Sequence, residues 1–307
     1  MQPLEILPDL FFIQRGYLNG NHFVYRSDKS ILIDTAYIRD FRDTEKALND
    51  LGVNLSRVEM IVNTHCHCDH VGGNRIIQER SDCRIAMHEI GKYFIDMKDS
   101  WSTWWKYYMQ EADFFRCDVG LKDEDVLAVG PYEFRVLHTP GHSADGMVLY
   151  HEAEKLLISS DTLWENDMAV MTMRVEGSTA IFSMLESLKK LSSLDIKMVF
   201  PGHGDPFYDA QGAIQKTKER LFDFLENPKR VGNDLIKKII IYTLMMKRSI
   251  DEETFYDYLM TTPWFVETVD LYFDGKYEKK YHDTMQGFFR RGIVKRNCGT
   301  LFTTVKP

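Results

Sequence analysis

Six consecutive residues, His65-Cys66-His67-Cys68-Asp69-His70, follow the apolar run VEMIV (58–62) and constrain this chain more than any other feature. A borderline divalent cation takes neutral imidazole and carboxylate ligands, and a catalytic site commonly supplies three of them per ion while leaving a position for water. Three imidazoles and a carboxylate on one short loop meet that demand. Such a loop needs a rigid strand beneath it, because binding residues on loops depend on the scaffold that positions them. The fold must therefore bring this strand end together with further ligands from elsewhere in the chain.

Three further candidates stand behind apolar, strand-like runs: His142 in TPGHS, Asp161 in ISSDT and His203 in FPGHG. Two of these sit in Pro-Gly-His turns, where glycine lets the backbone bend sharply and present the imidazole. The complete candidate set is His65, His67, Asp69, His70, His142, Asp161 and His203. Seven ligands divide into two ions with three ligands each plus one bridging carboxylate.

The constellation resembles the metallo-β-lactamase-fold superfamily of hydrolases, whose members carry His-x-His-x-Asp-His followed by His, Asp and His in that order. The resemblance covers roughly residues 10–205, with Asp34 after SILI at the family's early acidic position. It implies an α/β fold, an αββα four-layer sandwich with mixed sheets and a site at one edge of the two sheets. It further implies that His65, His67 and His142 hold one metal, that Asp69, His70 and His203 hold the second, and that Asp161 bridges. Two divalent ions are expected, zinc first, with manganese or iron also compatible because imidazole–carboxylate sites accept all three. Two cations about 3.5–4 Å apart make a bridging hydroxide available near neutral pH and polarise the carbonyl under attack. Asp69 and Asp161 are the catalytic carboxylates of this reading, Asp69 orienting the hydroxide or passing its proton to the leaving group.

The rest of the chain is patterned consistently with this. LFFIQ, HFVYR and SILIDTA read as successive hairpin strands, residues 39–51 as a helix, GGNRIIQERSD as a helix, and CRIAMH, YEFRVLHT and KMVFPGHG as strands. After Gly204 the texture changes to helices over 211–226 and 233–248, then an aromatic stretch, a further helix and a strand–turn–strand ending. A catalytic domain over 1–210 and a mostly helical, winged-helix-like domain over 211–307 are expected. The division coincides with a charge asymmetry: 17 Lys+Arg against 13 Asp+Glu after residue 210 (+4), leaving 21 against 33 before it (−12). Lys279, Lys280, Arg290, Arg291, Lys295 and Arg296 cluster near the end. The modest excess makes nucleic acid a disfavoured partner, although the winged-helix reading keeps it open.

Other conspicuous residues have plainer roles. Cys66 and Cys68 occupy the positions between ligands and should pack as neutral thiols, since alternate side chains of an extended segment point to opposite sides. His88, His138, His151 and His282 lie on or beside apolar runs and read as structural; His22 could border the pocket. Residues 93–115 hold Trp101, Trp104, Trp105, Tyr107, Tyr108, Phe114 and Phe115, which read as core first and as a pocket wall second. Trp164 and the run Met168, Met171, Met173 have the same two readings.

Five cysteines without paired spacing, no secretory leader and no apolar run of membrane-spanning length point to a reducing, cytoplasmic location. The expected activity is dinuclear hydrolysis of a carbonyl substrate (thioester, lactone or ester) by a metal-bridging hydroxide, on a small molecule. TPGHS, PGHG and the helical extension are similar to hydroxyacylglutathione hydrolases, which makes a thioester one candidate substrate, although that family's glutathione-binding residues are not placed in the tail. Phosphodiester or RNA cleavage and iron-dependent sulfur oxidation are the alternatives on the same scaffold. The apolar tail is expected to dock on the catalytic domain or on a second subunit, which would make a homodimer.

Overall fold

Neighbouring residues of the N-terminal strands face opposite environments, and this alternation builds the layers. The structure is a computed structural model that describes residues 3–307. Its first sheet contains β1 (Leu4–Leu7), β2 (Leu10–Ile13), β3 (His22–Tyr25), β4 (Ser30–Ile33), β5 (Val58–Val62), β6 (Arg84–His88) and β7 (Val119–Leu121), ordered as in the chain. The β1–β4 meander is antiparallel, whereas β4 through β7 run parallel. The parallel part follows from the crossover helices α1 (Phe41–Asp50) and α3 (Asn74–Ser81), with the short α2 (Cys68–Val71) between them.

The second sheet holds β8 (Val126–Val129), β9 (Tyr132–His138), β10 (Met147–His151), β11 (Leu156–Ser160) and β12 (Met198–Pro201), in the order β12-β11-β10-β9-β8. Phe12, Phe23, Ile33 and Val62 from the first sheet meet Phe134, Val136, Leu149 and Phe200 from the second between the sheets. Their neighbours Phe11, Val24, Leu32 and Ile61 pack outward with Phe41 and Leu48 of α1 and Ile77 of α3. On the far side, Leu137, Val148, Leu157 and Val199 are covered by α6 (Ala180–Ser192) and α7 (Ala210–Glu226). Each buried Leu, Ile, Val or Phe contributes about 1.5–3 kcal/mol relative to exposure, so two dry helix–sheet seams and one sheet–sheet seam dominate the stability. This is the expected αββα sandwich with mixed sheets.

Several elements carry weak sequence signals. Strands β1, β7 and β8 have three or four residues each and lack the aromatic or β-branched run, set off by turn residues, that marks the equally short β2, β3 and β4. Within the aromatic segment, α4 (Glu89–Asp96) ends before the tryptophans, which sit on turns, and residues 110–115 are irregular; α5 (Met173–Glu176) is a single turn. The C-terminal part contains α8 (Pro228–Lys247), α9 (Glu252–Met260), α10 (Pro263–Phe273) and α11 (Tyr277–Arg291) with β13 (Ile250–Asp251), β14 (Val294–Asn297) and β15 (Thr300–Thr303), ordered β13-β15-β14. Its core, built on Trp264, Phe265, Phe255 and Ile240, also takes in Trp104, Tyr107 and Tyr108 from the aromatic segment. The tail thus docks on its own chain, directly beside the His65–His70 loop. Helix α7, just past residue 210, packs with α6 on the second sheet.

Candidate metal centre

All seven candidates lie just beyond strand ends at one edge of the sandwich: His65, His67, Asp69 and His70 after β5, His142 after β9, Asp161 after β11 and His203 after β12. All are buried, between 0 and 7% exposed. Three sets have ligand atoms within 4.8 Å of one another and could each hold an ion: His65, His67, His142; His65, His70, Asp161; and Asp69, His70, His203.

Asp161 spans the two ends of the cluster. Its Oδ2 is 3.4 Å from His142 Nε2, while its Oδ1 is 3.6 Å from His70 Nε2 and 3.7 Å from His203 Nε2. Asp69 Oδ2 lies 3.2 Å from His203 Nε2 and 3.8 Å from His70 Nε2. The imidazoles are aimed by their other nitrogens: His70 Nδ1 on Asp34 (2.8 Å), His142 Nδ1 on the Val170 carbonyl (2.7 Å) and His203 Nδ1 on the Gly16 carbonyl (3.1 Å). Such partners set the tautomer and orient the free nitrogen.

The atoms left over fit a cation. Nε2 of His65, His67, His70 and His142 and Oδ1 of Asp161 are buried without a hydrogen-bond partner. Buried polar atoms are normally satisfied, so this many on one focus marks a position built for something that accepts lone pairs. Burial, then neighbouring imidazoles, hold His65 and His67 well below the usual histidine range, in the neutral form a ligand needs. For His70 burial also acts downward, but Asp34, Asp69 and Asp161 outweigh it and push the ring up to about 10. These carboxylates draw in positive charge, and a divalent ion supplies it.

Two glycines make room for this crowding. A Cβ on Gly20 would come within 2.6 Å of His70 Cε1, and one on Gly202, within the FPGHG turn, would overlap Asp161 Oδ1. The Gly202 requirement is space for the Asp161 carboxylate rather than the sharp bend the sequence suggests.

The flanking residues sort as follows. Cys66 and Cys68 are fully buried and their thiols pushed well up by burial, as expected for packed neutral groups. His88 and His138 stack on each other at 3.9 Å, and His151 accepts from the Glu154 amide. His22 lies buried near the Gly20 carbonyl rather than along the cavity wall. Met168 and Met171 belong to the core, and the cavity is lined instead by Ala169 and Val170 between them.

A cavity of about 460 Å³ opens over the cluster. Trp104 forms one wall, its ring 3.9 Å from His67, and Trp164 another, 5.1 Å from His203. The core and wall readings of the aromatic segment therefore divide by residue: Trp105, Tyr107 and Tyr108 are packed away, and Trp104 does both. The opposite wall comes from the tail, through Tyr242 and Met245 of α8, Phe288 and Arg291 of α11, and Val305. Of these tail residues the sequence marked only Arg291, as one of a basic cluster; nothing local distinguishes Tyr242, Met245 or Phe288 from ordinary helix positions.

A family profile described as the Metallo-beta-lactamase superfamily matches residues 15–203. The "Probable metallo-hydrolase YqjP" of Bacillus subtilis is 26% identical over 246 residues, 69% of this chain and 76% of that protein. A hydroxyacylglutathione hydrolase of Francisella tularensis subsp. novicida is 26% identical over 185 residues, 60% of this chain, which spans 62% of that enzyme. A metallo-beta-lactamase family protein from Thermus thermophilus has the same fold, with a TM-score of 0.64 at 21% identity, covering 97% of this chain and 100% of its own. Among the described residues no helix is long and apolar enough to cross a membrane. With the His and Asp clusters indicating divalent metal ions, the chain belongs to the metallo-beta-lactamase superfamily, as a metal-dependent hydrolase.

Proposed function

We propose that the protein is a dinuclear hydrolase of small carbonyl substrates, thioesters or esters, and that its ligands are His65, His67 and His142 for one ion, Asp69, His70 and His203 for the other, with Asp161 shared. The observation that carries this is the split of Asp161, whose two oxygens face different imidazole sets. When bound, the pair of cations would acidify a water and polarise the carbonyl oxygen under attack. Asp69 stands at the floor of the cavity, where its carboxylate can orient that water and carry its proton to the leaving group. Trp104, Trp164 and the tail wall limit bulk water and give the substrate an apolar bed. The partly apolar cavity, with Trp104, Trp164, Met245 and Phe288 in its walls, favours a small acyl compound over a polyanionic strand. Zinc is the ion favoured by this ligand set, with manganese and iron as alternatives.

The test is metal analysis of the purified protein followed by turnover of thioester, ester and lactone panels. Two ions per chain and acyl hydrolysis that disappears in Asp69→Ala are expected. Cleavage of single-stranded RNA alone, or iron with oxygen consumption, would overturn the reading.

A further inference from the structure

Residues 14–21, between β2 and β3, have no regular secondary structure, yet they back three of the seven candidate ligands. The Gly16 carbonyl accepts from His203 Nδ1 at 3.1 Å, the Gly20 amide donates to the Asp69 carbonyl at 3.0 Å, and Gly20 lies against the His70 ring. Asn21 adds bonds from its amide to the Gly202 carbonyl at 2.6 Å and from its side chain to the Pro201 and Gly204 carbonyls at 2.9 and 3.0 Å, which lock the turn carrying His203. Asp69, His70 and His203 form one of the sets whose ligand atoms lie within 4.8 Å of one another. Among the described residues no hydrogen bond runs from this loop to His65, His67 or His142. The loop therefore backs one end of the cluster and not the other.

An irregular loop keeps such contacts in place only when it is itself tied to rigid elements. The tail ties it at two points. The Tyr17 amide donates to the Lys306 carbonyl at 3.0 Å, and Gly16 packs so closely there that a Cβ would come within 2.0 Å of the Pro307 main-chain oxygen and 2.5 Å of that of Lys306. Tyr17 and Val305 both line the cavity, and the Tyr17 ring stacks on His203 with centroids 6.3 Å apart and planes 4° apart. At the second point Arg248, just past α8, pairs with Asp40 Oδ1 at 2.6 Å. Asp40 Oδ2 accepts from Asn19 Nδ2 at 2.8 Å, and Asn19 Oδ1 accepts the Tyr37 amide at 3.1 Å. Asn19 and Asp40 are buried, and a buried carboxylate is costly unless it is paired, so the charge of Arg248 holds this chain of contacts together.

We propose that Arg248 and residues 305–307 are positioning elements of the metal centre. Through Asn19, Gly16 and Tyr17 they press the β2–β3 loop onto Asp69, His70 and His203, so the tail sets the affinity of that metal position and leaves the His65, His67, His142 position alone. This rests on the ligand assignment given above and adds to the tail a task besides walling the cavity.

Chelator competition on the metal-loaded protein tests it in Arg248→Ala and in the chain truncated after Thr304, which keeps β14 and β15. Each should release one of its ions about tenfold more readily, the lower end of what loss of a ligand's outer partners costs, and hold the other unchanged. Arg248→Lys can still pair with Asp40 and should recover most of the loss. Two backgrounds identify the position: adding Arg248→Ala should weaken the ion retained by His67→Ala and leave unaltered the ion retained by His203→Ala. Unchanged affinities in Arg248→Ala, equal weakening of both ions, or a loss that Arg248→Lys does not recover would overturn the proposal. If the wild type takes up a single ion, the two-ion reading fails; the positioning role then stands if that ion weakens in Arg248→Ala and recovers in Arg248→Lys, and falls if it does not.

Discussion

Asp34 Oδ2 lies 2.8 Å from His70 Nδ1, and the same carboxylate accepts the Thr64 amide at 2.8 Å and the Thr64 hydroxyl at 2.7 Å. One buried acid at the end of β4 thus fixes both the first residue after Asn63 in the ligand loop and the orientation of its last imidazole. Asp34→Ala should weaken metal affinity or activity by roughly 10–100-fold, the usual effect of removing a ligand's hydrogen-bond partner. Chelator competition measures it; an unchanged affinity would remove Asp34 from the site.

Metal removal should cost stability as well as turnover. Binding free energy is available only to the folded arrangement, so apparent stability falls by RT ln(1 + [L]/Kd) when the ions go, about 4 kcal/mol at 1,000-fold saturation. Thermal unfolding with and without chelator should show a lower midpoint for the stripped protein. Asp161→Ala should reduce that difference while leaving the circular dichroism spectrum in place, and a full metal-dependent shift in this variant would contradict the shared-carboxylate assignment.

Glu176 provides a pH test away from the ligands. Its carboxyl accepts from Trp104 Nε1 at 2.5 Å, and burial pushes it up to about 8. With the folded value above the unfolded one, the folded state keeps a proton that the unfolded chain releases. Stability should therefore fall from about pH 4.5 towards pH 8 and then level off. Glu176→Gln keeps the acceptor for Trp104 and removes this penalty. It should match the wild type near pH 4 and exceed it at pH 8–9 by on the order of 3 kcal/mol, allowing for partial solvent screening. Parallel melting curves across that range would contradict the raised value.

Trp264 is fully buried at the centre of the tail and shares its cluster with Trp104 and Tyr108. Trp264→Ala should destabilise by roughly 3–5 kcal/mol. Because that cluster backs the cavity wall, KM for the best acyl substrate should rise as well. Denaturant titration and steady-state kinetics check the two effects, and destabilisation with an unaltered KM would mean the wall is held independently of the tail core.

Local patterning was enough for the sandwich strands and helices that are long or strongly alternating. LFFI, HFVY and SILI read as strands because successive side chains face different layers, and each is found as one. The VGL strand carries a glycine at its centre and VLAV follows directly on the charged run KDED, so neither stands out as a β-branched or aromatic run bounded by turn residues. In the aromatic segment composition spoke for a core but not for its conformation: the tryptophans sit on turns, and only packing decides that Trp105, Tyr107 and Tyr108 are buried away while Trp104 also faces the cavity.

The sequence by itself determined the family and a set of candidate donors, because a metal site needs particular donor atoms and those are written in residue identity: His65, His67, Asp69, His70, His142, Asp161 and His203. What only the tertiary structure decided is the shape above them. Tyr242 and Phe288 come from helices more than 160 residues beyond the His65–His70 loop, and neither is marked in its local context. Their meeting over His67 and Asp69 depends on how the tail core packs against Trp104, and packing between distant segments leaves no periodic trace in either one.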